Sequence, residues 1–375
     1  MKIALDARWI FSESSGIGQH TRMLIQSLAT MKPPHEFLLL FHTPEMAERI
    51  KRECGCEWEH AIVPYGVFSL RNQFQLASFL KKQQVDVYHS TNYMMPLPGF
   101  PRHRRGAVKA VITIHDLIPM VYRDHAPRSR KSRMYPIYAR LMHEVAARAD
   151  AIITVSESSA RDVQEHLGVQ GKDGDKIRVV YNGLDPVFFD DHAVPRQDPP
   201  EILYVGRLDP YKNVPQLVSA FAKAREKLPP GTRLRVIGPP DERYPEALSL
   251  AKSLNVLSVL DWEGHVTFPT LLEAYRRARI LVLASDYEGF GLPVAEAMAC
   301  GTPVICSSAS SLPEVGGDAA RYVAPGDIHE LKDALVEVMT HPDLQKEMTI
   351  KGRKQAARFQ MHSMAEETLA VYEGR

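Results

Sequence analysis

The segment Glu288-Gly289-Phe290-Gly291-Leu292-Pro293 sets an acid, two glycines and a proline in an order that suits an anion site. Glycines let the backbone approach a ligand closely, and Pro293 fits the first turn of a helix expected to end near Gly301. The amides of Phe290, Gly291 and Leu292 then point out of a helix start, where the macrodipole favours a phosphate or a polarised hydroxyl. Glu296 lies one turn into that helix among Ala295, Ala297 and Ala299, and a carboxylate there can accept hydrogen bonds from a ribose diol. Taken alone, the same residues also describe a plain turn with an acid at a favourable helix position.

A second cluster carries the opposite charge. The apolar run Ile202 to Val205 leads into Gly206-Arg207-Leu208-Asp209-Pro210-Tyr211-Lys212-Asn213, so Arg207 leaves a strand end and Lys212 precedes a helix start. Ligands of α/β sheets bind outside the carboxyl ends of the strands. Two fixed cations there suit a diphosphate, whose charge needs neutralising on binding and on departure. Exposed Lys and Arg are common, so a pair of solvated surface charges is the alternative.

These residues need strands and helices to hold them, and short apolar runs alternate with amphipathic stretches as βα units of a parallel sheet require. The first half offers strands at Ile3 to Ala7, Phe37 to Phe41, Val85 to His89, Ala110 to Ile114, Ala151 to Val155 and Ile177 to Tyr181. Helices are expected within Ile17 to Ala29, Arg71 to Lys82 and Arg130 to Ala149. Residues 190–200, DDHAVPRQDPP, hold three prolines and few apolar side chains and read as a linker. Beyond them come strands at Ile202 to Gly206, Leu234 to Gly238, Ile280 to Ala284 and Pro303 to Ser307. Asn213 is expected to cap the helix that carries Val214, Leu217, Val218 and Phe221. The fold expected is α/β, with two doubly wound Rossmann-like domains, 1–189 and 201–360, facing each other across a cleft.

Composition narrows the function classes. A chain of 375 residues favours about two domains, and 46 Lys and Arg against 45 Asp and Glu point to no nucleic-acid partner. The charged start, Met1-Lys2-Ile3-Ala4-Leu5-Asp6-Ala7-Arg8, does not read as a secretory signal, and the expected location is cytoplasmic. Cys54, Cys56, Cys300 and Cys306 match no zinc spacing or disulfide framework and read as buried thiols.

The ordered segments GRLDPYKN, GHVTFPTLLEAYRRA, EGFGLPVAEAMACGTPV and SLPEVGGDAA closely resemble retaining glycosyltransferase family 4, whose fold is GT-B. Glu288, seven intervening residues and Glu296 reproduce that family's two-glutamate motif. SSGIGQHTRMLIQSL, VITIHDLIP, IITVSESS and VVYNGLDPVFF extend the resemblance through the first half. It implies that Arg207 and Lys212 hold the donor diphosphate, that Glu296 binds the ribose hydroxyls and that Glu288 contacts the donor sugar. Backbone around Val266 is implied to read the nucleobase, and the amides of Phe290 to Leu292 to reach sugar and phosphate. Gly16 and Gly18 would approach the diphosphate from the first domain, with His115 beside the donor sugar. As a lone histidine, His115 would more often be a satisfied buried residue. The family's last helix, here around Met364 to Tyr372 within 361–375, returns to pack on the first domain.

The implied activity is transfer of a hexose from a nucleoside diphosphate sugar to a hydroxyl, with retention at the anomeric carbon and no metal or other cofactor. Positive charge grows on the sugar and negative charge on the diphosphate as the bond stretches, so both need stabilising. The start of the chain, STNYMMP and HDLIP resemble bacterial surface-polysaccharide mannosyltransferases, which puts GDP-mannose first and a UDP-hexose second. A non-catalytic sugar-nucleotide-binding protein is a rival. A nicotinamide-dependent oxidoreductase is another, but the third glycine of its fingerprint is missing and Phe37 to Phe41 ends at His42 and Thr43, not at an acid. The acceptor is expected to be a glycan or a lipid-linked glycan. Residues 101–148 carry eleven Lys or Arg against three acids, beside an apolar stripe of Met134, Ile137, Tyr138, Leu141, Met142 and Val145. That stretch is either a helix with a solvated basic face or a peripheral contact with anionic lipid at the inner face of the cell membrane.

Overall fold

The computed structural model describes residues 1–11, 15–103, 105–122, 134–190 and 195–375. The chain folds as two compact units, each built on a parallel sheet. The first holds Met1–Val121, Met134–Gly183 and Phe359–Arg375, and the second is built on Leu184–Arg358.

Among the described residues, seven strands make the first sheet: β1 Lys2–Asp6, β2 Glu36–Phe41, β3 Glu59–Ile62, β4 Val87–Ser90, β5 Lys109–Ile114, β6 Ala151–Thr154 and β7 Ile177–Val179. Their order is β3-β2-β1-β4-β5-β6-β7, and every neighbouring pair is parallel. The order reverses between β1 and β4. The inner strands are apolar along their length because helices cover both faces of the sheet. One face packs Ile3, Leu5, Leu39 and Phe41 against Leu24, Leu28 and the terminal-helix residues Met364, Leu369 and Tyr372. The other packs Leu38, Leu40, Ile112 and Ile114 against Leu80, Met142 and Val145.

The second sheet has β8 Glu201–Val205, β9 Arg233–Ile237, β10 Leu260–Glu263, β11 Ile280–Leu283, β12 Val304–Ser307 and β13 Ala320–Val323. Its order, β10-β9-β8-β11-β12-β13, is again parallel throughout and reverses between β8 and β11. The sequence pattern missed β3, β10 and β13. All three lie at sheet edges, where one flank is open and strands such as EHAI, LDWE and ARYV mix charge with apolar residues.

The division falls at Gly183 and Leu184, ahead of the stretch expected to be a linker, and again at Arg358 and Phe359. Within the supposed linker, Arg196 is bound into the second unit. Its guanidinium donates to the carbonyls of Arg276, Ala278 and Gly301 and to Thr302 Oγ1 at 2.6–3.1 Å. The helix Met361–Glu373 belongs to the first unit, with Tyr372 OH 2.6 Å from His89 Nδ1. Gly183 is needed there, since a Cβ on it would stand 2.3 Å from the Met361 Cα. Among the described residues, no helix is long and apolar enough to cross a membrane.

Candidate active site

In the second unit the residues flagged by type and spacing gather at the reversal of strand order. β8 runs into Gly206, whose φ of +155° and close neighbour Gly238 leave no room for side chains: a Cβ on Gly238 would lie 2.0 Å from the Gly206 carbonyl oxygen. Tyr204 OH donates to the Arg207 carbonyl at 2.6 Å and fixes the turn that follows. The Arg207 guanidinium then reaches Asp209 at 2.8 Å with its side chain 66% exposed, a cation held at one edge and open to solvent.

Lys212 is placed differently. It ends the turn Pro210–Lys212, lies over the Tyr211 ring and donates to both carboxylate oxygens of Glu288 at 2.6 and 2.7 Å. Burial by itself would lower the Lys212 pKa, but the facing Glu288 carboxylate outweighs it and the net shift is upward, so the amine stays charged. Glu288 comes from the loop after β11. Its Oε1 also accepts from Ser285 Oγ at 2.7 Å, and its amide donates to Ser310 Oγ at 2.7 Å. Ser311 Oγ closes the loop by donating to the carbonyls of Glu288 and Phe290 at 2.9 Å.

Asn213 does not cap the helix Val214–Ala224 with its side chain. It sits in the left-handed region at φ 56°, and its amide group reaches across to the Ala284 carbonyl at 3.0 Å and to Asp286 Oδ1 at 2.5 Å. The loops after β8 and β11 are thus tied together beneath Lys212 and Glu288. This is the bond that the spacing could not show.

Gly291, at φ +97°, opens the helix Leu292–Ala299, with Pro293 in its first turn. A Cβ on Gly291 would press on Leu312 Cδ2 at 2.7 Å. Phe290 is buried, and Glu296 accepts from Tyr275 OH at 2.6 Å. Burial pushes the Glu296 carboxyl up to about 7, against the opposing pull of the Tyr275 hydrogen bond. Val266 lies half-buried just beyond the end of β10.

The first unit brings its own flagged residues together. Ser15 caps the helix Gly16–Met31 by accepting from the Gly18 amide at 3.1 Å. Gly18 packs near the Trp9 carbonyl, whereas a Cβ on Gly16 would meet open space. One turn on, His20 sets its ring at 87° to that of His115, centroids 4.8 Å apart, and its Nδ1 lies 2.8 Å from Asn182 Oδ1. His115 Nε2 faces the Thr91 carbonyl at 2.9 Å, so that nitrogen carries the proton and Nδ1 keeps its lone pair. Burial lowers the pKa of both rings, which keeps them neutral. His20, Asn182 and Tyr275 lie inside the segments that carry the family resemblance but had no role assigned, and Asp286 lies outside those segments. For His20 a signal existed: it follows Gly16 by one helical turn and shares the buried face with Met23, Leu24 and Leu28.

Against the expectation of transfer without a metal, the chain does hold one Asp-any-Asp spacing, at Asp173-Gly174-Asp175. It stands in the turn before β7, at the amino end of that strand and so at the opposite end of the sheet from the residues above. The basic stretch of 101–148 lies partly outside the described residues, with Arg104, Arg123, Arg128, Arg130, Lys131 and Arg133 among those not described. Of its other cations, Arg148 binds Glu144 and the carbonyls of Leu97 and Phe100, and Lys109 donates to the Val371 carbonyl. In the helix Tyr135–Arg148 the expected stripe is buried at Met142 and Val145, while Met134 and Ile137 are exposed.

Residues 14–188 match the family described as Glycosyltransferase Family 4, and residues 188–355 match Glycosyl transferases group 1. The chain is 26% identical to O-antigen chain mannosyltransferase B of Escherichia coli over 99% of both chains. It is 30% identical to D-inositol 3-phosphate glycosyltransferase of Kribbella flavida, over 76% of this chain and 70% of that one. Among solved structures it is similar to Anabaena HepE in complex with UDP-glucose, with a TM-score of 0.74, 15% identity and full coverage of both chains.

Proposed function

This chain belongs to glycosyltransferase family 4, and from that premise we propose that it moves mannose from GDP-mannose to a hydroxyl of a glycan or lipid-linked acceptor, with retention at the anomeric carbon. Its two Rossmann-like domains are those of the GT-B glycosyltransferases. What supports the transfer reading is the charged crevice at the strand reversal between β8 and β11. Lys212 is a largely shielded cation held by Glu288, and Arg207, in the same loop after β8, is an exposed one.

A leaving diphosphate develops charge as its bond to the sugar stretches, and fixed cations in a partly dry site stabilise that charge without reorganising. Lys212 and Arg207 take that role, with the start of the helix Leu292–Ala299 presenting its dipole to the same anion. Glu296 accepts from the ribose hydroxyls, backbone at Val266 reads the base and Glu288 orients both Lys212 and the sugar. His115, with Gly16 and Gly18, serves the sugar and phosphate from the first domain. Side chains and helix amides neutralise the diphosphate, so transfer proceeds without a metal, and activity lost in EDTA and restored by magnesium or manganese would overturn that part.

Mannose rests on the kinship with the O-antigen mannosyltransferase, and guanine on the resemblance of the chain's start, STNYMMP and HDLIP to surface-polysaccharide mannosyltransferases. A thermal-shift panel tests them, because a ligand that binds only the native state raises its apparent stability. GDP and GDP-mannose are expected to give the largest shifts. A larger shift with UDP or UDP-glucose would move the donor to a UDP-hexose, and binding without nucleotide release in the presence of acceptor would leave a non-catalytic binder. Residues 101–148 read first as a solvated basic face and second as a peripheral contact with anionic lipid, and vesicle co-sedimentation that separates anionic from neutral lipid would reverse that order.

A further inference from the structure

The first sheet reverses its strand order between β1 and β4, and an aromatic residue stands three positions past the end of each strand. Trp9 ends the turn Ala7–Trp9 after β1, and Tyr93 follows β4. Their rings lie 6.3 Å apart. Phe11 and Phe68 stand edge-on to the indole at 6.4 and 5.9 Å, and Phe68 also lies 6.2 Å from Tyr93. Trp9 is 6% exposed, whereas Phe11 and Phe68 are 47% and 58% exposed. The cluster is therefore a wall with a buried centre and an open rim.

The centre holds an unmet donor. Trp9 Nε1 is buried, and among the described residues it has no hydrogen-bond partner. A buried N–H is ordinarily satisfied, and one that is not calls for an explanation such as an acceptor supplied from outside the chain. An acyl chain has no acceptor to offer. A pyranose has both parts: a C–H face that packs on aromatic rings and hydroxyl oxygens that accept. The place agrees, since the reversal of strand order in an open α/β sheet is where ligands bind.

We infer that Trp9, Phe11, Phe68 and Tyr93 form a carbohydrate platform, on which a pyranose of the acceptor lies against the Phe68 and Phe11 rings while the Trp9 indole donates to one of its hydroxyls. This rests on the transferase reading and sharpens it: the acceptor ends in a sugar, and the enzyme extends a glycan rather than starting one on a bare lipid. Phe11 and Phe68 stand edge-on to the indole and are themselves exposed, so the rim of the platform is open to a sugar.

The test uses the full chain and the indole ¹H–¹⁵N resonance of Trp9, assigned by its loss in Trp9→Phe. Methyl α-D-mannopyranoside and an α-linked mannobiose are titrated, with neutral and anionic phospholipid vesicles as a separate arm. A saturable shift of Trp9 by a saccharide is expected, with Trp58 and Trp262 unmoved. Phe68→Ala, at an exposed position, should weaken that response roughly tenfold while leaving nucleotide affinity unchanged. No response to either saccharide, or a response to vesicles alone, overturns the platform. Nucleotide binding and transfer are measured apart: transfer with an unmoved Trp9 sinks the platform and keeps the transferase, and a saccharide shift without nucleotide binding does the reverse.

Discussion

The two sheets share one plan and fill it differently. Each is parallel and reverses its strand order once, between β1 and β4 in the first unit and between β8 and β11 in the second. In the second unit the loops at that reversal bring Arg207, Lys212, Asp209 and Glu288, all but Arg207 with side chains largely shielded from solvent. In the first unit they bring Trp9 and Tyr93 beside a buried Asp6–Arg8 ion pair at 2.6 Å, and the neutral His115 ring is bonded to the Thr91 carbonyl after β4. The topology supplies a crevice and the loops decide what it holds, so the site and not the fold carries the function. A charged crevice suits a leaving diphosphate, and an aromatic one suits a neutral sugar.

The largest effect that tests this contrast is expected at Lys212. Lys212→Ala removes the buried cation and leaves Glu288 facing Ser285 without its counter-charge. Turnover should fall roughly a hundred- to thousandfold, the loss seen when a donor aimed at developing charge is deleted. The protein should also lose stability by about 3 kcal/mol or more, because one half of a buried pair is stranded. Glu288→Gln added to Lys212→Ala relieves the stranded charge and should restore the melting temperature without restoring turnover. If Lys212→Ala melts normally and turns over normally, the crevice is not where the diphosphate leaves.

The charged crevice was more legible in the sequence than the aromatic one, and the reason is physical. Lys212 and Glu288 are rare types to bury, and each follows an apolar run by a few residues, so their positions announce themselves. Trp9, Tyr93 and Phe68 look like ordinary core residues, and only the strand order shows that the first two leave adjacent strands at the reversal. The inner strands were legible for the same reason as any parallel strand, since both faces are covered and the run is wholly apolar. The edges β3, β10 and β13 were not, because a strand open on one side tolerates charge. Asn213 misled through a correct rule: Asn is a good cap, but here its amide bridges Ala284 and Asp286.

A middle-sized effect is expected from pH. Glu296 holds its proton up to about 7, because burial disfavours the carboxylate more than the Tyr275 hydrogen bond favours it. Its pKa in the folded chain is raised above the ordinary value, so this group stabilises the free protein most at low pH and loses that contribution as pH rises through about 7. Ribose hydroxyls that donate to Glu296 bond more strongly to the ionised form. Nucleotide affinity should therefore weaken as pH falls below 7, by up to about tenfold per unit. Calorimetric titration of GDP between pH 5.5 and 8.5 measures this, and Glu296→Gln should flatten the profile. The same slope in wild type and Glu296→Gln would place the titration elsewhere.

The smallest effect separates packing from positioning in the first unit. His20 touches His115 ring to ring and holds Asn182, yet it belongs to neither of the crevices' charged or aromatic walls. If its task is to keep the His115 ring fixed, with Nε2–H on the Thr91 carbonyl, then His20→Ala frees that ring and lowers turnover by roughly tenfold, while the Michaelis constant for the donor changes little. His20→Phe keeps an aromatic edge against His115 and gives up only the bond to Asn182, so it should recover most of the turnover. A merely structural role predicts another pattern: both variants would lose thermal stability, since each leaves Asn182 Oδ1 buried without its partner, and turnover per folded molecule would stay level. Measuring kcat beside the melting temperature for the two variants decides between them. Equal losses of turnover in His20→Ala and His20→Phe would mean that the imidazole nitrogens, and not the ring's contact with His115, are what the reaction uses.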